Sequence, residues 1–524
     1  MSLTEQKVSP KFPRVLDIPT LLFLFTGFVF LYPFLFAPHF VPINRDVCNS
    51  VYVSDAYRMY QGEVMYRDFF QFSPPATALV YFFLFKFFGL QPWIINLENV
   101  LLGLSLAWLG VIIAKKVTRP DLALLPSAIF LVGLYKDFLE PTHHWYSLLA
   151  ACGGIATLIE RRTPTRIAAA GFFGALSACC TQVRGVGVTL GFAAFLWWES
   201  RQRREESREL LRKEAWLWAS FLVSLIALNS YFIWEAGLRR FLWCTIVFGI
   251  KCYPKDAEWN TFKVFFLSLP RFITLRGFIY FCGQWLFING ILPATVILFF
   301  ARYGRDSGKK PMEFWERPML LALVGTSMFL SVVAAPALHR LAACALPGII
   351  LLVWYLDSPG KFARVLRMLL PVGVVVVALH AMVGTASPRR WTFTTRQGEL
   401  ALEDWRDYEA FAWVQQHTRP MDYFYDAADQ YWVGEYCLDL RNPTPISIIK
   451  NNGYTTPEQV AEVIQGLERH HVHYVAWSPP ELDVMPAWEN PSEDPLGPLR
   501  DYIHKHYQLV KVLTNADQIW ERKD

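Results

Sequence analysis

Long apolar stretches without charge are the feature that most limits how this chain can fold. Residues 18–38 run for 21 positions without a charged side chain, and comparable stretches recur as far as residue 386. A helix of about 20 apolar residues spans the roughly 30 Å hydrocarbon core of a bilayer. The pattern therefore predicts a multi-pass α-helical membrane protein. Charged residues make up only 18% of the chain, which agrees with that prediction.

The placement of lysine and arginine indicates which loops face the cytoplasm. Nearly half of these residues lie in six short segments, which are 1–17, 115–121, 160–166, 199–214, 302–317 and 357–367. Cytoplasmic loops of membrane proteins carry an excess of Lys and Arg. We therefore place these segments and the N-terminus in the cytoplasm. Residues 199–214 have mixed charges and join two spans, so we interpret them as a solvated loop and predict no nucleic-acid partner.

This assignment predicts about eleven membrane spans. They are 18–38, 93–114, 122–135, 145–159, 167–183, 185–198, 215–235, 277–301, 318–335, 341–356 and 368–386. Residues 76–90 are apolar but short, and a crossing there would place Lys115 and Lys116 outside, so we predict an interfacial or re-entrant helix. The first apolar run is longer than the core of a secretory signal, and no A-x-A-like site follows it, which favours a retained anchor.

The chain is predicted to have two domains. Residues 1–386 form the transmembrane domain, with outer loops at 39–92 and 236–276. Residues 387–524 contain two segments with helical periodicity, 408–417 and 457–471, and two short buried strands, 421–425 and 472–477, separated by turns rich in Pro, Gly and Asn. We predict that they form a soluble α/β domain, which the parity of the spans places outside the cytoplasm.

The conspicuous polar residues gather on the outer side of this topology. They are Asp46, Asp55, Glu63, Arg67 and Asp68 in the first outer loop, Lys136, Asp137, Glu140, His143 and His144 in the next, Arg184 in a turn between two spans, and His339 and Arg340 at a later span edge. Charged groups near a bilayer are costly and tend to face a cavity or one another. The sequence therefore predicts a cavity that is open on the outer face.

Several of these residues have a structural alternative to a functional role. Lys136 with Asp137 is also consistent with plain interfacial charge, and Arg184 with a structural cap. His143 and His144 could hold a metal together with loop carboxylates, but no spacing selects a metal site. No soluble cofactor is predicted, and the sequence contains no P-loop, GxGxxG, HExxH or GxSxG motif.

Carboxylates beside Arg and His suit a reaction with an anionic, lipid-linked substrate. The cations would hold phosphate oxygens, and a carboxylate would act as general base on an incoming hydroxyl. Nucleotide-activated donors are not supplied outside the cell. An activated group presented from a lipid phosphate in the bilayer fits these conditions.

One stretch after the first predicted span resembles a known family. "YQGEVMYRDFFQFSPPATALVYFFLFKFFG", residues 60–89, is similar to the segment that follows the catalytic acidic motif in GT-C membrane glycosyltransferases. The relatives in question are the protein O-mannosyltransferases and the lipid A aminoarabinose transferase. The resemblance implies a polyprenyl-phosphate sugar donor and an inverting transfer to a hydroxyl of an extracytoplasmic glycan, lipid or protein, at the inner membrane of a bacterial-type cell.

The resemblance also implies a catalytic base. The family's catalytic aspartate maps onto Asp46, and Asp55 is the alternative because the spacing from Asp46 to the G-E pair is a residue or two longer than usual. His144 stands where relatives often have a second acidic residue, with Asp137 and Glu140 upstream. Ser73 stands where many relatives have a lysine before the Pro-Pro pair.

The expected ligands of the donor phosphate follow from the same comparison. Arg184 matches a basic residue that contacts lipid phosphate in relatives, and His339 with Arg340 resembles a basic pair at the start of a later span. With His144, these residues form the predicted phosphate site. Glu63, Arg67, Asp68, Lys136, Asp137 and His143 are predicted to line the substrate cavity.

Two other functions are consistent with the sequence. A transporter or flippase for lipid-linked saccharides would also need Arg and His for phosphate, although it would not need an outer carboxylate poised as a base. A non-catalytic subunit with a GT-C-like fold is the second alternative, because His144 and Ser73 depart from the family pattern.

Overall fold

The computed structural model describes residues 17–267, 274–357, 360–385, 390–427, 434–484 and 494–523. The first basic segment, residues 1–17, lies outside the described residues except for Asp17.

Among the described residues before 386, the regular elements are helices, apart from the two-residue strands β1 (Phe36–Ala37) and β2 (Val41–Pro42). Its helices are α1 (Ile18–Leu35), α2 (Val51–Tyr60), α3 (Ala76–Phe88), α4 (Pro92–Val117), α5 (Leu125–Gly133), α6 (His143–Leu158), α7 (Pro164–Cys180), α8 (Gln182–Arg203), α9 (Ser207–Ala236), α10 (Leu238–Leu242), α11 (Phe248–Lys251), α12 (Ala257–Asn260), α13 (Lys263–Leu267), α14 (Leu275–Leu286), α15 (Leu292–Asp306), α16 (Met312–Leu330), α17 (Leu338–Ala342), α18 (Ala345–Tyr355) and α19 (Lys361–Thr385).

Helical segments that are long and apolar enough to cross a membrane number five among the described residues. They are Ile18–Leu35, Pro92–Val117, Ser207–Ala236, Gly277–Asp306 and Ala363–Thr385. In the last of these no residue of the apolar window is buried inside the protein. An apolar helix surface that the protein does not cover indicates contact with lipid, so the chain is a membrane protein.

The remaining six predicted spans also contain helices. These are α5, α6, α7, α8, α16 and α18, which range from 9 to 22 residues. The count of about eleven spans and the orientation of the termini stay predictions. Helix α3 has 13 residues, which give about 20 Å at 1.5 Å per residue. That length is too short to cross the bilayer and agrees with the predicted interfacial helix.

The residues after 390 form strands and helices. A hairpin of β3 (Trp391–Thr395) and β4 (Gly398–Leu402) precedes a four-stranded sheet in the order β5-β6-β8-β7. In this sheet β5 (Phe424–Asp426) and β6 (Tyr474–Trp477) are parallel, whereas β7 (Tyr507–Val512) and β8 (Gln518–Arg522) pair antiparallel. The helices are α20 (Trp405–His417), α21 (Pro457–Arg469), α22 (Pro479–Leu482) and α23 (Gly497–His506).

These elements match the two predicted helical segments and the two predicted strands. The start of α21 illustrates why. Thr456 accepts a hydrogen bond from the backbone of Gln459, whose side chain in turn accepts one from the backbone of Thr456, and such a capping box satisfies two otherwise unpaired backbone donors. The boundaries 1–386 and 387–524 as separate domains, and the side of the membrane on which the second lies, stay predictions.

The first outer loop packs directly against the residues after 390. Phe85 of α3 stacks on Tyr436 with ring centroids 5.0 Å apart, and the hydroxyl of Tyr57 in α2 donates to Asp439 at 2.5 Å. Val47 and Phe411 belong to the same buried apolar cluster. The loop that carries Asp46 is therefore held between the helical part and the C-terminal residues.

Candidate active site

Two carboxyl groups meet just beyond the end of α1. Asp46 follows β2, and its side chain hydrogen-bonds that of Glu140 from the loop before α6. The two loops are joined nearby, because the hydroxyl of Ser50 donates to the carbonyl of Pro141 at 3.1 Å. Asp46 has a φ of 54°, a left-handed conformation that aspartate and asparagine tolerate better than most residues.

The environment of this pair favours a shared proton. Burial raises the pKa of Asp46, although the hydrogen bond from Glu140 opposes the shift. Burial and the neighbouring Asp46 raise the pKa of Glu140 to about 7. The hydrogen bond between them lowers the pKa of Asp46 and raises that of Glu140, so the proton of the pair lies on Glu140, which donates it to Asp46. This arrangement provides one carboxylate that can accept a proton.

A basic cluster forms next to the pair from three separate parts of the chain. The rings of His143 and His144 at the start of α6 lie 3.9 Å apart between centroids, and His144 lies 5.5 Å from His339 of α17. The guanidinium of Arg184 donates to the carbonyl oxygens of His144 and Arg340 at 3.0 and 3.2 Å. The four residues predicted to bind the donor phosphate, Arg184, His339, Arg340 and His144, thus lie together, and His143, predicted to line the substrate cavity, lies beside them.

The local sequence explains how Arg184 reaches this position. Helices α7 and α8 are separated by Thr181 alone, so Arg184 lies in the first turn of α8. A Cβ atom on Gly185 would lie 2.1 Å from the backbone nitrogen of Ala178. The glycine therefore permits the close approach of α8 to α7, and Arg184 is completely buried there.

The positive charge of the cluster comes from its arginines. Burial, together with Arg340 and Arg184, lowers the pKa of His339 to about 3, so this imidazole is neutral at physiological pH. Arg340 donates to the carbonyl of Trp259 at 3.0 Å and to the side chain of Asn260 at 3.1 Å. Neutral acceptors therefore hold Arg340 in place without cancelling its charge.

Two buried polar atoms of the cluster have no hydrogen-bond partner within the described part of the chain. They are Nε of Arg184 and Nδ1 of His144. Buried polar atoms in folded proteins are nearly always paired, so each exception calls for an explanation. A bound oxyanion would satisfy an unpaired guanidinium N–H.

The alternative base, Asp55, contacts Gln71 and not Glu140, and Gln71 also accepts a hydrogen bond from the backbone N–H of Ser73. Asp55 is 1% exposed, and its carboxyl accepts a hydrogen bond from Gln71 at 2.6 Å. Burial raises the pKa of Asp55 to about 7. The hydroxyl of Tyr52 contacts Nδ1 of His143 and lies 3.3 Å from the hydroxyl of Ser73, so Ser73 belongs to a polar chain that ends at the histidines.

The predicted cavity residues are divided between two cavities. Lys136 and Asp137 line a cavity of about 720 Å³ together with Arg45 and Leu139, the sequence neighbours of the carboxyl pair. Glu63, Arg67 and Asp68 line a separate cleft of about 540 Å³. His143 lies in the basic cluster. The first cavity therefore borders the sequence neighbours of Asp46 and Glu140, although these two residues are not part of its lining.

Sequence reasoning missed the partnership of Glu140 with Asp46. The position that corresponds to a second acid was assigned to His144, four residues later. A glutamate in a loop gives no local sequence pattern that would predict its contact with an aspartate 94 positions earlier in the chain.

A disulfide ties the loop of Asp46 to the C-terminal residues. Cys48 and Cys437 are bonded, with their Cα atoms 5.5 Å apart. Cys244 and Cys252, which the sequence left as either a disulfide or free thiols, are both free. The backbone N–H of Cys48 donates to the side chain of Asn44 at 3.2 Å, so the turn around Asp46 is fixed from two directions.

Removal of this disulfide is expected to loosen the turn. Cys48→Ser with Cys437→Ser should lower the melting temperature, since the loss of a native disulfide typically costs about 2–5 kcal/mol. Reductant should lower the melting temperature of the wild type and leave that of the double variant unchanged. Cys282→Ser, at a free cysteine, is the matched control. Equal melting of wild type and double variant would contradict the expectation.

Metal binding finds no support in the described residues, where no group of three or more His, Cys, Asp and Glu side chains is placed to hold an ion. His143 and His144 therefore lack a third such ligand there. A metal held by His143 and His144 stays a prediction.

Comparison with solved structures identifies the fold. The chain matches ArnT from Cupriavidus metallidurans bound to undecaprenyl phosphate with a TM-score of 0.58 and 12% identity, over 95% of this chain and 97% of that one. It matches the oligosaccharyltransferase of Archaeoglobus fulgidus with a TM-score of 0.51 and 11% identity, over 88% of this chain and 69% of that one. The neighbours are GT-C glycosyltransferases, so the chain has the GT-C fold that its sequence resembled.

A third neighbour extends the comparison to a larger protein. The arabinofuranosyltransferase AftD from Mycobacteria matches with a TM-score of 0.51 and 14% identity, over 97% of this chain but only 40% of that one. No family model and no curated protein matches the sequence.

Proposed function

We propose that this GT-C chain is a membrane glycosyltransferase that moves a sugar from a polyprenyl-phosphate donor to a hydroxyl of an extracytoplasmic glycan, lipid or protein. The observation that carries the proposal is the Asp46–Glu140 carboxyl pair beside a buried basic cluster with unpaired polar atoms. The ArnT structure that matches over most of the chain holds undecaprenyl phosphate, which supports a donor of the polyprenyl-phosphate type.

The proposed reaction assigns each group a separate task. Asp46 accepts the proton of the acceptor hydroxyl as its oxygen bonds to the anomeric carbon of the sugar. The bond between that carbon and the phosphate oxygen breaks on the opposite face, so the configuration inverts, and the lipid phosphate leaves with the electron pair. Arg184 and Arg340 stabilise the phosphate charge, with hydrogen bonds from His144 and His339.

The disulfide of the first outer loop indicates the side of the membrane on which the site lies. Disulfides form and persist in oxidising compartments outside the cytoplasm. The Cys48–Cys437 bond joins the first outer loop to the C-terminal residues, which supports the placement of both on the extracytoplasmic face. We propose an inner-membrane protein with a cytoplasmic N-terminus and an extracytoplasmic C-terminal domain.

A donor assay tests the proposed function. The full-length protein in lipid nanodiscs is incubated with a panel of radiolabelled polyprenyl-phosphate sugars and a crude envelope glycan as acceptor. We expect consumption of one donor with release of polyprenyl phosphate. If no donor is consumed or bound, the lipid-phosphate proposal fails. If a donor is bound but moves intact across a sealed liposome membrane, the protein is a transporter.

Substitution of Glu140 tests the shared proton. Glu140→Gln keeps a donor to Asp46, so its rate should stay close to that of the wild type near pH 6. Glu140→Ala removes the donor, and its transfer rate should fall about 10- to 100-fold, which is the value of a hydrogen bond to a charged group.

The pH dependence of the same variants gives a second measurement. Above pH 7 the wild-type Glu140 loses its proton and places a second negative charge near the donor phosphate, so kcat/KM should fall. This fall should be absent in Glu140→Gln, because the amide does not titrate. Parallel pH profiles for wild type and Glu140→Gln would contradict the shared-proton arrangement.

A further inference from the structure

A second cavity lies apart from the carboxyl pair. The cleft of about 540 Å³ is bounded by the C-terminal end of α2, the loop around Asp68, Arg240 of α10, residues 441–445 and the last turns of α21. Arg58 of this cleft lies near the end of α2, whereas Asp46 precedes that helix. Neither Asp46 nor Glu140 lines the cleft, so the cleft is not the proposed reaction centre.

Arginine dominates the charge of this cleft. Its lining includes Arg58, Arg67, Arg240, Arg441 and Arg469. Arg58 is paired with Glu63 at 2.7 Å, and Arg67 with Asp68 at 2.8 Å. In each pair the carboxylate neutralises the charge of the arginine, and the pair holds the walls of the cleft together.

The remaining cations differ from these pairs. Arg240 donates to the carbonyl of Tyr66 at 3.3 Å. Within the described residues, the side chains of Arg441 and Arg469 have no ion-pair partner. His470 follows Arg469 directly, and burial, Arg469 and Arg441 lower its pKa. Like charges gathered without a counter-ion are unfavourable unless an anion joins them. Glu462, the other carboxylate that lines the cleft, lies two turns earlier on α21, about 10 Å from Arg469 along the helix.

An aromatic surface accompanies these cations. The rings of Tyr423 and His470 are stacked with centroids 4.1 Å apart, and both line the cleft. Aromatic rings offer a flat apolar face against which the apolar face of a sugar ring can pack. The side chain of Gln465 adds an amide donor and acceptor at the rim.

We propose that this cleft binds an anionic group, the carboxylate or phosphate of a saccharide or of a lipid headgroup, through Arg441 and Arg469. Arginine forks bind such groups with two parallel hydrogen bonds. In the transferase proposed above, the cleft would hold a charged part of the acceptor away from its reacting hydroxyl. The binding itself does not depend on that function.

Direct binding measurements test this site without any donor. The full-length protein is placed in phosphatidylcholine nanodiscs and titrated by calorimetry with trigalacturonate, with dihexanoyl phosphatidylglycerol and with neutral maltotriose. We expect one anionic probe to bind, maltotriose not to bind, and the affinity to fall in high salt. The probe that binds distinguishes a saccharide from a lipid headgroup.

Variants locate the binding within the cleft. Arg441→Gln and Arg469→Gln should each weaken binding of the anionic probe about tenfold, the value of a charge-assisted hydrogen bond. Lys505→Gln, an equal charge change at an exposed residue of α23 that does not line the cleft, should leave it unchanged. The proposal is overturned if neither anionic probe binds the wild type, or if all three variants bind it equally. Donor consumption in the earlier assay would be unaffected by that outcome.

Discussion

Asp46→Asn is expected to abolish sugar transfer while the protein still binds its donor. The amide cannot accept the proton of the acceptor hydroxyl, and general base catalysis is typically worth about 10²- to 10⁴-fold. Asparagine has nearly the same shape, and it tolerates the left-handed backbone of position 46. The fold and the Cys48–Cys437 link should therefore be unchanged. The measurement is single-turnover transfer in nanodiscs, alongside binding of undecaprenyl phosphate.

Asp55→Asn is the matched control for this substitution. It makes the same chemical change in the same loop, but at a buried carboxyl whose contact is Gln71. Asparagine can still accept that hydrogen bond, so transfer should remain close to the wild-type rate. If Asp55→Asn is inactive and Asp46→Asn is active, the two aspartates exchange roles. If both are active, the general base lies elsewhere.

Arg184→Gln is expected to weaken binding of undecaprenyl phosphate by about 10²-fold or more. Removal of one partner of a buried charge pair generally costs several kcal/mol, and the Nε atom of Arg184 is the buried donor left without a partner. Binding is measured in nanodiscs at constant ionic strength. Arg184→Lys should recover part of the affinity, because it restores the charge but not the planar fork.

The loss of a buried arginine also disturbs the fold, so a second variant separates the two effects. Arg162→Gln removes an arginine whose side chain is 6% exposed and pairs with Glu199 and Glu316 at the predicted cytoplasmic side. It should lower the melting temperature as Arg184→Gln does and leave donor affinity unchanged. Equal donor affinity in Arg184→Gln and wild type would remove this arginine from the phosphate site.

Local sequence patterns account for the helices and strands, whereas contacts between distant segments account for the arrangement of the site. The helices before residue 386 follow from apolar runs, because a bilayer requires a minimum apolar length and a hydrogen-bonded backbone in each crossing segment. The C-terminal helices and strands follow from periodicity and from caps such as Thr456 with Gln459. Each of these signals lies within about twenty neighbouring residues.

The sequence by itself determined that this is a helical membrane protein, and it predicted a phosphate site and a base with Asp46, Arg184, His339 and Arg340 as members. Only the tertiary structure decided that Glu140 shares a hydrogen bond with Asp46, that Cys48 bonds a cysteine 389 residues away, and that the predicted cavity residues divide between two cavities. The reason is physical: such contacts arise when distant segments are packed together. They impose no periodicity or spacing on the local sequence from which they could be read.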